Sequence, residues 1–181
     1  MSIIPNFSLY ACNMETSEVD WDNRVVIVSD EDTENGFLIP KTSAVHSNFL
    51  GGFINMGGED ELKIPCQRYE DHILGIVAVY LNHFSGVERE ETPQPTELPK
   101  PFPHGSIEGH ATPFEVALSK QYFDGEKNMK TLLGVLNLAN YLQIPSLVDL
   151  GALSLAQRFK GKTPEEIKKM FEGESLPVRP E

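Results

Sequence analysis

Between Met129 and Phe171 the chain carries three apolar helical periods separated by their own punctuation, and this stretch constrains the fold more than any other. Over residues 127–142, Met129, Leu132, Leu133, Val135, Leu136, Leu138, Ala139, Tyr141 and Leu142 surround most of the helical circumference, which predicts burial on more than one face. Pro145 disfavours helical geometry at Ile144, so a second helix is expected to restart with Ser146 as its N-cap and run to about Lys160. It carries Leu147, Val148, Leu150, Ala152, Leu153, Leu155, Ala156 and Phe159, and Gly161 stands where a left-handed cap belongs. Thr163-Pro164-Glu165-Glu166 then reads as a capping box with Pro at the first helical position. The third helix places Ile167, Met170 and Phe171 on an apolar side, with Lys168 and Lys169 suiting its C-terminal end. Three helices with this much apolar surface imply either a partner face beyond their own core or a larger self-contained core.

The preceding half alternates strand and helix signals. Residues 24–28 (RVVIV) are β-branched, an acidic turn follows, and Phe37-Leu38-Ile39 supply the hairpin partner, closed by Pro40. Residues 42–55 repeat apolar side chains at three- and four-residue steps, a helix loosened by Gly51-Gly52. Residues 62–65 suggest a third strand, 69–83 a helix, and 114–123 a short amphipathic helix. Residues 85–113 are rich in Pro and Glu and read as an excursion loop, in which Pro95 to Pro99 forms a Pro-rich, ligand-like stretch of a kind that arises by chance more readily than by function. Residues 1–23 lack a sustained period and read as a disordered acidic extension, and residues 173–181 as a flexible tail. The fold class expected is α+β, with a sheet of about three strands packed with helices.

A net charge of −12 over 181 residues opposes binding to nucleic acid or anionic membranes. The charge is uneven: residues 1–35 hold eight Asp or Glu against Arg24 alone, whereas most lysines fall in the helical half. No apolar run reaches membrane-spanning length, the N-terminus has no signal-peptide pattern, and Cys12 and Cys66 offer neither ligand spacing nor a disulfide framework. A reducing compartment, cytoplasmic or nuclear, is expected. No catalytic constellation emerges. His46, His72 and His83 fall in helical segments, and His104 and His110 flank Glu108 in the Pro-rich loop without metal-ligand spacing. Gly51-Gly52 and Gly57-Gly58 lack the spacing of a phosphate loop, and residues 88–91 are a solvated charge run. Neither an enzyme nor a cofactor or metal is expected.

The strings ANYLQIPSLVDL (residues 139–150) and GKTPEEIKKMF (residues 161–171) resemble the C-terminal signature of the S-phase kinase-associated (Skp-type) adaptors of SCF ubiquitin ligases. From about Arg24 onward the order of elements resembles a BTB/POZ domain. The resemblance implies a non-catalytic adaptor that bridges a cullin to an F-box substrate receptor in ubiquitin-dependent degradation. It implies a BTB/POZ-like domain over residues 24–142 and F-box-binding helices over residues 143–172. By position in the shared motif, Asn140 and Tyr141 match residues presented to the cullin. Leu132, Leu136, Val148, Ala152, Leu155, Phe159, Ile167 and Phe171 match the F-box side, although periodicity alone makes each equally a core residue. One departure stands out: such adaptors continue with an acidic segment and a final helix, whereas EGESLPVRPE follows Phe171 here. The resemblance therefore leaves open a specialised scaffold that holds one F-box-like partner outside a cullin ligase. Self-association through the BTB-like region is a third possibility, and an elongin C-like adaptor is disfavoured by the segment from Gly161 to Phe171.

Overall fold

In the computed structural model, residues 4–30, 32–56, 62–86, 93–98, 100, 107–125 and 128–171 are described. Four strands, β1 (Ala11–Asn13), β2 (Arg24–Val28), β3 (Asn35–Pro40) and β4 (Lys63–Pro65), form one sheet in the order β1-β3-β2-β4. β3 pairs antiparallel with both β1 and β2, and β4 joins β2 in parallel. The helices are α1 (Asn48–Met56), α2 (Asp71–Phe84), α3 (Pro113–Leu118), α4 (Met129–Tyr141), α5 (Pro145–Phe159) and α6 (Pro164–Phe171). The expected α+β class is the one observed.

α2 is the hub. Ten of its fourteen residues are buried, so it has no solvent stripe and must be covered on several sides. The sheet covers one side and α4 another. A side chain at Gly134 of α4 would sit 2.9 Å from Ile73 Cδ1, so glycine is what lets these two helices approach. α5 crosses α4 the same way: a Cβ at Gly151 would lie 2.7 Å from Leu136 Cδ2.

The N-terminal residues depart from the expected disordered extension. Ile4 is buried in the main core, a 3₁₀ turn spans Phe7–Leu9, and β1 adds a fourth strand. The physical reason lies in β2. Val25 to Val28 are all buried, so both faces of this strand need cover. Val25 and Ile27 face the main core. Val26 and Val28 form a second cluster with Cys12, against which Met14, Val19, Trp21 and Leu38 pack. Phe7 fills the notch over Gly75 of α2, where a Cβ would stand 2.8 Å from its ring.

Other boundaries shift for local reasons. The helix expected over residues 42–55 divides into a 3₁₀ turn (Lys41–His46) and α1, with Gly51 and Gly52 inside α1. At the junction the buried Ser47 hydroxyl donates to Leu142 O and accepts from Leu50 N at 3.1 Å. The helix expected over residues 114–123 is α3 followed by a π-helical turn, Ser119–Phe123. Within the Pro-rich region, Ile107–Gly109 form a 3₁₀ turn and Leu98 is buried, whereas Pro99, His104 and residues 173–181 lie outside the described residues. Among the described residues no helix is long and apolar enough to cross a membrane, and no group of three His, Cys, Asp or Glu could hold a metal ion.

Candidate docking faces

Two surfaces gather the residues singled out from the sequence. The first lies at the C-terminal end of α4, which closes with a Schellman motif: Ile144 N donates to Ala139 O at 2.8 Å, and Gln143 N to Asn140 O at 3.2 Å. Gln143 takes the left-handed conformation, φ 52°. Gln143 is therefore the terminating residue, which leaves the exposed Asn140 side chain free of any part in ending the helix. Tyr141 is 41% exposed and held in a fixed pose. Its hydroxyl donates to Pro65 O at 3.3 Å, and its ring lies 5.2 Å from that of Phe49. Burial first, and then the neighbouring Cys66, raise the phenol above its ordinary pKa, so it stays a neutral donor. Phe49 stacks on Phe53 at 6.2 Å, and Met56 ends the same helix 83% exposed. α1 thus continues the Tyr141 surface as an apolar ridge. The sequence carried a signal for it, because Phe49, Phe53 and Met56 share one side of a helix at steps of four and three residues.

The second surface is made by α4, α5 and α6. Leu136, Val148, Ala152, Leu155 and Phe159 are half-buried, as are Ile167 and Phe171 on α6. Phe159 and Phe171 meet with ring centroids 5.8 Å apart, which fastens α6 to the end of α5. Leu132 departs from this group. It is fully buried in the main core, and a Cβ at Gly151 would lie 3.6 Å from its Cδ1. Its place is the interior of the α4–α5 crossing, where no partner reaches it. Lys160, Lys162, Lys168 and Lys169 are exposed around the half-buried row and give it a basic rim.

Local chemistry places these helices much as their punctuation requires. Pro145 is at the first position of α5, with Ile144 as the N-cap and no side-chain cap, so Ser146 is inside the helix and does not cap it. Gly161 has φ 74°. The capping box of α6 is formed: Glu166 N donates to Thr163 Oγ1 at 3.3 Å, and Thr163 N to Glu166 Oε2 at 2.7 Å. α5 is tied to the turn after α3 by Ser119 and Ser154, whose hydroxyls are 3.0 Å apart.

A small mixed sheet backed by a buried helix, followed by α4, α5 and α6, is a BTB-like α+β fold with a helical C-terminal extension. Residues 145–174, which contain α5 and α6, match the family described as "Skp1 family, dimerisation domain". The chain is 27% identical over 150 residues, 83% of its length and 76% of that protein's, to "S-phase kinase-associated protein 1 homolog" of Tetrahymena thermophila. It is 27% identical over 144 residues, covering 76% of this chain and 77% of the relative, to "SCF ubiquitin ligase complex protein SKP1b" of Dictyostelium discoideum. Against "SKP1-like protein 14" of Arabidopsis thaliana it is 51% identical over 41 residues, 23% of this chain and 28% of the relative. The last two helices are thus similar to the Skp1 family, and most of the chain is similar to Skp1-type proteins at 27% identity.

Proposed function

We propose that this chain is a non-catalytic adaptor of an SCF-type cullin–RING ubiquitin ligase, joining a cullin to an F-box substrate receptor in the cytoplasm or nucleus. The observation that carries the proposal is the half-buried apolar row of α5 and α6, which falls within the region matching the Skp1 family. Side chains that are partly covered in the free chain and continuous along two helices lose their remaining water only when a complementary helix or loop lies on them. On this reading Leu136, Val148, Ala152, Leu155, Phe159, Ile167 and Phe171 take the F-box, with the lysine rim favouring acidic side chains on the receptor. Asn140 and Tyr141 take the cullin, extended by Phe49, Phe53 and Met56. Both faces draw on the C-terminal half of α4, Leu136 on one side and Asn140 and Tyr141 on the other, so both partners are held by one helix. No chemical step is assigned to this chain.

The test separates the faces. Asn140→Lys combined with Tyr141→Lys removes capture of a cullin N-terminal domain while F-box capture and the melting temperature stay near those of the wild type. Loss of F-box capture together with a collapse in melting temperature would show that these residues serve only the fold.

A further inference from the structure

Glu115 of α3 is 1% exposed, and its carboxylate takes four hydrogen bonds. Two belong to its own capping box, from Thr112 N and Thr112 Oγ1, each at 2.8 Å. The other two come from Thr96, in the Pro-rich region: Thr96 Oγ1 donates to Oε2 at 2.7 Å and Thr96 N to Oε1 at 3.2 Å. Thr96 Oγ1 also accepts from Thr112 N at 3.2 Å. A buried carboxylate without these donors would be strongly disfavoured, so Thr96 is specified by the interior and is not a loop residue resting on a surface. Two residues later Leu98 enters the main core, 7% exposed. Lys100 then reaches α5, its Nζ 2.8 Å from Asp149 Oδ2. The anchors converge around Tyr80 of α2, which is fully buried; burial first, offset in part by Ser146, and then the charges of Glu115 and Asp149 push its phenol far above the ordinary value.

We propose that Thr96, Leu98 and Lys100 form a strap that sets the pose of α5, and that Thr96 is a positioning residue for partner binding although it lies outside both docking faces. The path from Thr96 to α5 has two limbs. One runs through Glu115, along α3 into its π-helical turn, and across Ser119 to Ser154. The other is the Lys100–Asp149 ion pair, which is exposed on the lysine side and is the weaker limb. The apolar row is therefore presented by a helix held from three directions: by Ser119, by Lys100 and by Leu136 against Gly151. This inference rests on the docking reading for its consequence but not for its structure.

Amide hydrogen exchange on the full chain tests it, with Thr96→Val, the rescue variant Thr96→Ser, and Lys100→Ala. In Thr96→Val, amides of residues 148–155 exchange about tenfold faster, the factor expected when one hydrogen bond to a buried charged group is lost, while β2 and the centre of α2 are unchanged. Thr96→Ser restores wild-type protection, and Lys100→Ala gives a smaller rise in the same segment. Wild-type exchange in α5 despite faster exchange at residues 94–98 would overturn the strap. A uniform rise across β2, α2 and α5 would overturn it too, since that is lost global stability. A second arm measures affinity for an F-box domain, which the strap requires to fall in Thr96→Val and return in Thr96→Ser. If the wild type binds no F-box domain, the adaptor reading fails while the exchange arm still decides the strap.

Discussion

Leu132 and Phe159 both match the F-box side in the sequence, and the structure gives them opposite duties that Ala substitutions can separate. Leu132 is 0% exposed at the crossing of α4 and α5, with Gly151 close enough that a Cβ there would touch its Cδ1 at 3.6 Å. Leu132→Ala removes buried methyl groups and leaves a cavity that helix backbones cannot collapse around, a cost of about 2–5 kcal/mol. For a chain of this size that lowers the melting temperature by about 5–15 °C. Phe159 is half-buried, and its aromatic partner is Phe171 at 5.8 Å. Phe159→Ala forfeits that ring contact and part of its apolar burial, about 1–2 kcal/mol, and the melting temperature falls by only a few degrees. Affinity for an F-box domain, measured by calorimetry well below both midpoints, reverses the order. Phe159→Ala weakens it about tenfold or more, whereas Leu132→Ala stays within about threefold of the wild type. Equal melting losses, or loss of binding by folded Leu132→Ala, would refute the division between interior and docking row.

Three further outcomes follow from single contacts. Gly75→Ala places a Cβ 2.8 Å from the Phe7 ring and should dislodge the N-terminal residues without harming α2, where Ala is the better helix former; chymotryptic cleavage at Phe7 and Tyr10 then accelerates, and an unchanged rate contradicts the docking described. The Thr163 amide and hydroxyl hold the Glu166 carboxyl below its ordinary range, so the cap supports α6 at neutral pH and is lost as pH falls through that depressed value; NMR titration shows this, and an identical Glu166 titration in Thr163→Ala would deny the cap its role. Burial pushes the Cys66 thiol up to about 12 and leaves it 1% exposed, so thiol reagents at mildly alkaline pH should modify it only on unfolding, and rapid labelling of the folded chain would contradict its placement.

The parts of the fold that were legible in the sequence are those whose signals are local. Pro145, Gly161 and the box from Thr163 to Glu166 each act on the backbone within one turn, and α5 and α6 begin and end beside them. The N-terminal strand was not legible because three residues carry no period, and their pairing with Asn35, Gly36 and Phe37 is nonlocal. A hint was present even so: RVVIV is apolar at both parities, so a strand there needs cover on both faces, and only residues outside the predicted elements remained to supply it. Thr112-Pro113-Phe114-Glu115 repeats the pattern of Thr163-Pro164-Glu165-Glu166 and encodes the second capping box, yet its burial depends on Thr96, sixteen residues away, which no local rule identifies. Periodicity likewise puts Leu132 and Leu136 on one side of α4. Only the depth of the α5 crossing distinguishes the buried residue from the half-buried one.

The proposed function requires one chain to hold two partners at once on separate faces. Native mass spectrometry of the purified full chain mixed with a cullin N-terminal domain and an F-box domain tests it most directly. An adaptor of this kind gives a complex with one copy of each, which loses the cullin domain in the Asn140→Lys, Tyr141→Lys variant and keeps the F-box domain. An F-box complex that never takes up the cullin domain, or binding of the two in competition for the same chain, would contradict it.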